Sequence, residues 1–141
     1  MIEAWFDGAC WPNPGGPAAW GALVKEDGKE IYSGTGFLDN GKTSNNVAEY
    51  SGLLLALVYL CDQRISEATI YGDSNLVIQQ MSGNWQIKHK NKPYALYALL
   101  AKDLVASLNL TFKWIPREQN TEADALSNAP LIERGFRNPR P

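Results

Sequence analysis

Residues 2–7, IEAWFD, alternate apolar and polar side chains with the period of two that marks a half-buried strand. The CWPNPGGP that follows is too dense in Pro, Gly and Asn for a regular element and reads as a loop. AAWGALVKED and KEIYSGTGFL then read as two strands joined at Asp27-Gly28, a strong hairpin signal. After the polar loop DNGKTSNN the period changes. From about Asn46 to Asp62 the pattern predicts a long helix, apolar on nearly every side. EATIYG is a short strand, and Asp73-Ser74 marks a helix start before NLVIQQM. Pro93 opens a helix of about 15 residues, apolar at Leu96, Leu99, Leu100, Leu104 and Leu108. LTFKWI is the fifth strand, and REQNTEADALSNA is a last helix expected to stop near Pro130. Beyond it, LIERGFRNPRP reads as a loosely held basic tail over 130–141.

This order implies an α/β fold with a single mixed five-stranded sheet. A three-stranded antiparallel meander is joined by two parallel strands, and helices flank the sheet. Right-handed crossovers place the fourth strand beside the first. The length of 141 residues suits one domain, expected over 1–129, and no internal repeat is visible.

One position in the long helix conflicts with its surroundings. Glu49 shares a helical face with Leu53, Ala56 and Leu60, where an unpaired charge costs several kcal/mol or more. Three further acids stand out by context. Asp7 lies in the first strand, Asp73 at the end of the fourth, and Asp124 in the last helix. Each has a plainer reading: Asp7 as a strand terminus, Asp73 as a helix N-cap, Asp124 as a solvated helix residue. Topology changes the weighing. With strands one and four adjacent, Trp5 and Asp7 share a face with Thr69, Tyr71 and Asp73, and the long helix brings Glu49 over the same place. Three carboxylates in one partly buried spot cannot all stay ionised unaided. A hard divalent cation with oxygen ligands, Mg²⁺ in particular, resolves the conflict.

Composition adds bounds rather than direction. The 45% hydrophobic and 20% charged content is that of a globular protein. Two cysteines, Cys10 and Cys61, make no disulfide framework and fit a reducing cytoplasm. No signal peptide is legible, and the apolar run around 53–61 is too short to span a bilayer, so no membrane partner is expected. The net charge of −2 argues against a uniformly basic binding surface. The charge is unevenly spread, however. Between Trp85 and Lys102 stand Lys88, His89, Lys90 and Lys92 with no acid, a local basic patch.

FDGACWPNPG, TSNNVAEY, IYGDSNLV and WIPREQNTEADALS occur in this order, and with them the chain resembles type 1 ribonuclease H from Met1 to about Ala129. The likeness is to the shorter-loop, archaeal-like branch of that family. It implies the ribonuclease H-like fold and an endonuclease that cuts the RNA strand of an RNA/DNA hybrid; a monomer is expected. The expected products carry 5′-phosphate and 3′-hydroxyl ends. The family's four acids map onto Asp7, Glu49, Asp73 and Asp124. By that likeness Asp7 bridges two Mg²⁺ ions, for which Mn²⁺ can substitute. Asp124 helps hold the ion that activates the attacking water, while Glu49 and Asp73 hold the one that stabilises the leaving oxygen.

The resemblance also implies substrate contacts. A hybrid is recognised largely by groove shape and RNA 2′-hydroxyls. Asn13, Asn45, Asn46 and Asn75 match positions that touch the minor groove, and Cys10 of FDGAC is counted with them as a substrate-binding residue. Lys42 and Ser44 match a grip on a DNA phosphate, or else are solvated loop residues. Trp85 with Lys88 and Lys90 matches a DNA-strand channel, although Trp85 also reads as a core residue with an exposed edge. The pattern departs from many relatives in two places. The loop PREQN before Asp124 holds no catalytic histidine, so Arg117 is the candidate for that vacant role, acting only through its charge. A long basic helical protrusion is also missing, leaving KHKNK to supply part of it. Alternatives are a nuclease that also cuts double-stranded RNA and a non-catalytic nucleic-acid-binding module on the same fold.

Overall fold

The computed structural model describes residues 1–88 and 91–138. Five strands, β1 (Ile2–Cys10), β2 (Ala18–Glu26), β3 (Lys29–Leu38), β4 (Glu67–Gly72) and β5 (Asn109–Trp114), form one sheet in the order β3-β2-β1-β4-β5. β1, β2 and β3 are antiparallel neighbours, whereas β4 runs parallel to both β1 and β5. This is the mixed sheet that the strand and helix order predicts. At the β2–β3 turn both Asp27 (φ 52°) and Gly28 (φ 82°) adopt left-handed backbone, as a two-residue hairpin with this sequence requires.

The helices are α1 (Asn45–Asp62), α2 (Asn75–Met81), α3 (Pro93–Val105) and α4 (Thr121–Glu133), with a short 3₁₀ turn at Arg117–Gln119. Ser44 caps α1 by accepting from the Val47 N–H at 3.2 Å. The alternation in β1 sends Ala4 and Phe6 into a core with Val47, Tyr50, Leu53, Leu57 and Leu60 of α1. Close approach of α1 to β1 depends on two glycines. A Cβ on Gly8 would lie 2.2 Å from the Ala48 carbonyl carbon, and one on Gly52 would lie 2.6 Å from the Asp7 carbonyl oxygen. Both contacts are with backbone, so neither position has room for a side chain. That closeness holds the first turn of α1 against the end of β1.

Three expectations are corrected. Of the leucines within α3, only Leu104 packs against the core: Leu96, Leu99 and Leu100 are exposed, and Tyr94, Ala95, Ala98 and Ala101 pack inward. Small alanines face α1, and Leu96, Leu99 and Leu100 are left outside. Second, the last helix does not stop near Pro130. It begins at Thr121 rather than in the REQ turn, and continues through Pro130 to Glu133. Leu131 is fully buried with Ala9 and Ala19, against Phe37. Third, the boundary expected at residue 129 therefore falls within a helix. The segment beyond α4 is docked as far as Arg137, with Phe136 stacked on Phe37 at 6.0 Å between ring centroids and Arg137 bonded to Asn128. Among the described residues, no helix is long and apolar enough to cross a membrane.

Candidate active site

β1 and β4 pair with Trp5 opposite Tyr71, so two residues further on Asp7 and Asp73 emerge side by side. Trp5 and Tyr71 stack below them at 5.2 Å. α1 brings Glu49 to the same point, and oxygens of Asp7, Glu49 and Asp73 all lie within 4.8 Å of one another. Asp7 and Glu49 are buried. The Gly8 N–H is shared between them, donating to Asp7 Oδ1 at 2.9 Å and to Glu49 Oε1 at 2.6 Å. The other oxygen, Glu49 Oε2, is buried with no hydrogen-bond partner among the described residues.

Such crowding has an electrostatic cost. Burial, followed by the charges of Asp73 and Asp124, raises the Asp7 carboxyl from 3.8 to about 6. Burial, then the charge of Asp7, lifts Glu49 well above the ordinary range. Asp73 is raised as well, mainly by burial. A group of oxygen donors that is unfavourable when all ionised, with one buried oxygen unpaired, fits a hard divalent cation.

Asp73 does not cap α2; Ser74 does, accepting from the Val77 N–H at 3.4 Å. The Asp73 carboxylate is thereby left to the cluster. Two residues that sequence reasoning missed hold it in place. Asn120 is buried, and its Nδ2 donates to the Phe6 carbonyl at 3.0 Å and to Asp73 Oδ2 at 3.2 Å, tying β1 to Asp73. The Trp114 indole N–H donates to the Asp73 carbonyl at 3.0 Å. An asparagine four residues before Asp124 was a visible signal, but only the fold shows that it faces Asp73.

Asp124 stands outside the 4.8 Å triad, at the first turn of α4. Its charge still raises the carboxyls of Asp7 and Asp73. Arg117, 68% exposed, reaches Asp124 Oδ1 at 3.9 Å and lowers the Asp73 carboxyl against the effect of burial. Asn128, four residues along the same helix face, donates through Nδ2 to the Asp124 carbonyl at 2.8 Å and to Asp124 Oδ1 at 3.2 Å.

The asparagine loops interlock beside this cluster. The Cys10 N–H donates to Asn45 Oδ1 at 3.1 Å, and the Asn45 N–H to Asn13 Oδ1 at 2.9 Å. The Cys10 thiol is turned inward on Pro12 O, Gly16 O and Thr43 Oγ1, and neither cysteine is disulfide-bonded. Lys42, Ser44 and Asn46 line a groove of about 640 Å³ together with Lys92 and Tyr94. Trp85 and Lys88 line a second groove of about 490 Å³, which shares Leu76 and Tyr94 with the first. Trp85 is 45% exposed, so it is a wall residue rather than a core one. Asn75 is exposed at the start of α2, and its Oδ1 accepts from Gln79 Nε2. Lys90 lies outside the described residues, as does His89.

The family described as reverse transcriptase-like matches residues 5–129. The crystal structure of ribonuclease H1 from the halophilic archaeon Halobacterium salinarum superposes with a TM-score of 0.83 at 33% identity, covering 94% of this chain and 98% of that one. The chain belongs to the type 1 ribonuclease H family. The archaeal neighbour agrees with the branch that the short loop before Asp124 suggests. A second family member, LC11-ribonuclease H1 in complex with an RNA/DNA hybrid, superposes with a TM-score of 0.77 at 32% identity, covering 97% and 100% of the two chains. The bifunctional protein Rv2228c of Mycobacterium tuberculosis is 38% identical over 91% of this chain, which spans only 34% of that protein.

Proposed function

We propose that this chain is a divalent-metal-dependent endoribonuclease that hydrolyses the RNA strand of RNA/DNA hybrids, leaving 5′-phosphate and 3′-hydroxyl ends. The observation that carries the reading is the triad of Asp7, Glu49 and half-buried Asp73, with Glu49 Oε2 buried and unpaired among the described residues, beside interlocked asparagine loops. Asp7, Glu49, Asp73 and Asp124 would hold two Mg²⁺, with Mn²⁺ as a substitute. When bound, such a pair neutralises the attacking and leaving oxygens of an in-line displacement at phosphorus. The protein's own part is to orient. Asn120 and Trp114 fix Asp73, and Gly8 holds the Asp7 and Glu49 oxygens together. Asn13 and Asn45, their oxygens held by backbone N–H groups, present amino ends that can donate to ribose hydroxyls. The groove of Lys42, Ser44 and Lys92 suits the phosphates of the DNA strand, and Trp85 and Lys88 continue it. A cytoplasmic monomer is the working form on this reading.

The test is cleavage of labelled RNA/DNA hybrid, duplex RNA and duplex DNA, with Mg²⁺ or with EDTA. Hybrid cutting that stops in EDTA is expected; cutting that persists without metal would overturn the reading. Arg117→Ala should slow turnover by on the order of tenfold without abolishing it, as for other groups that support a metal ligand from behind. An unchanged turnover rate would remove Arg117 from the mechanism.

A further inference from the structure

The C-terminal segment reaches back to the site through one hydrogen-bonded chain. Gly135, at φ +77°, ends α4 with paired bonds from the Gly135 N–H to Ile132 O and from the Phe136 N–H to Leu131 O. This turn reverses the backbone. Phe136 then stacks on Phe37, and Arg134 lies over the same Phe37 ring at 4.2 Å. Arg137 is thereby delivered to the flank of α4. Its Nη1 donates to Asn128 Oδ1 at 2.7 Å, and its guanidinium lies 5.8 Å from the Trp11 ring centroid.

The chemistry of this contact is directional. A primary amide has a donating end and an accepting end of nearly the same shape. A guanidinium can only donate, so the end of Asn128 that meets Arg137 must be its oxygen. The amino end is then obliged to face Asp124, where it donates to Oδ1 at 3.2 Å. Asn128 is 3% exposed, which leaves little water to serve either end instead. Without Arg137, the amino end would keep its two acceptors on Asp124, but the oxygen end would lose the partner that pins it and the amide would be held less firmly against the carboxylate.

We infer that Arg137 is a positioning residue: it locks the Asn128 amide so that Asn128 orients the Asp124 carboxylate for cation binding. The inference rests on the proposed role of Asp124 in holding a cation. Support from behind a ligand of this kind commonly carries a factor of 10–100 in metal affinity or activity.

The experiment measures Mn²⁺ binding by isothermal titration calorimetry, without nucleic acid, to the full chain and to four variants. Asn128→Ala should weaken binding about tenfold and Arg137→Ala, one step further from the ligand, about threefold. Arg137→Lys, which also only donates, should retain most of the affinity. The Arg137→Ala, Asn128→Ala double variant should bind no more weakly than Asn128→Ala alone, because Arg137 acts through Asn128. In hybrid cleavage the Mg²⁺ concentration for half-maximal rate should rise while KM for the hybrid stays unchanged. Unaltered Mn²⁺ affinity in Arg137→Ala, additive losses in the double variant, or a change confined to KM or to the melting temperature would overturn the relay. A wild-type chain that cuts no hybrid but shows the Mn²⁺ pattern would overturn the proposed function and leave the relay standing.

Discussion

Asp7→Asn is expected to lower hybrid cleavage by on the order of a thousandfold or more, the scale seen when one group is removed from a preorganised charge-stabilising site. Asp7 belongs to the triad whose oxygens gather within 4.8 Å, and it shares the Gly8 N–H with Glu49. Asparagine keeps the shape and the Gly8 contact but brings no charge, so the loss would be electrostatic rather than structural. Single-turnover cleavage in saturating Mg²⁺, with circular dichroism to confirm folding, is the measurement. Activity within tenfold of wild type would remove Asp7 from the centre of the proposed mechanism.

The same substitution should make the metal-free protein more stable. In the folded chain the Asp7 carboxyl is raised from 3.8 to about 6, chiefly by burial. Between those values the native state binds more protons than the unfolded state, so stability falls as pH rises through that window. Roughly two pKa units correspond to about 3 kcal/mol lost by pH 7 and regained as the pH is lowered towards 4. Glu49, pushed up by burial and by the charge of Asp7, and Asp73, pushed up mainly by burial, act in the same direction. In EDTA, wild type should therefore melt at a higher temperature at pH 5 than at pH 7. Asp7→Asn at pH 7 should melt on the order of 5–10 °C above wild type. Mg²⁺ should raise the wild-type melting temperature at pH 7 and narrow the gap to the variant. A wild-type midpoint that rises with pH in EDTA, or a variant less stable than wild type, would contradict the strained cluster. The protein would then hold its acids by some other means than a cation. A gain in stability paired with a loss of cleavage is the signature expected of a site kept for chemistry.

Much of the architecture was legible along the chain because its signals are local. Period-two alternation in IEAWFD, the Asp27-Gly28 turn and the helix start at Asp73-Ser74 each depend on a few neighbouring residues, and all of them hold in the fold. The site was partly legible for a different reason. Glu49 conflicts with its own apolar face, and such a conflict points to a compensating partner even before its identity is known.

By itself, then, the sequence determined the strand order, the adjacency of β1 and β4, and the convergence of Asp7, Glu49 and Asp73, since register and crossover handedness leave little choice. Only the tertiary structure decided which face of each helix is buried and which side chains support the acids. In α3 both the alanines and the leucines recur at helical spacing, and packing in the assembled fold turns the alanines inward. Pro130 should end a helix at a cost of about 3 kcal/mol. Burial of Leu131 against Phe37, which no local pattern reports, offsets that cost and carries α4 onward. Asn120 and Arg137 lie far in sequence from the atoms they serve, or act through a third residue. Their roles come from hydrogen bonds between segments brought together only when the sheet and α4 are assembled.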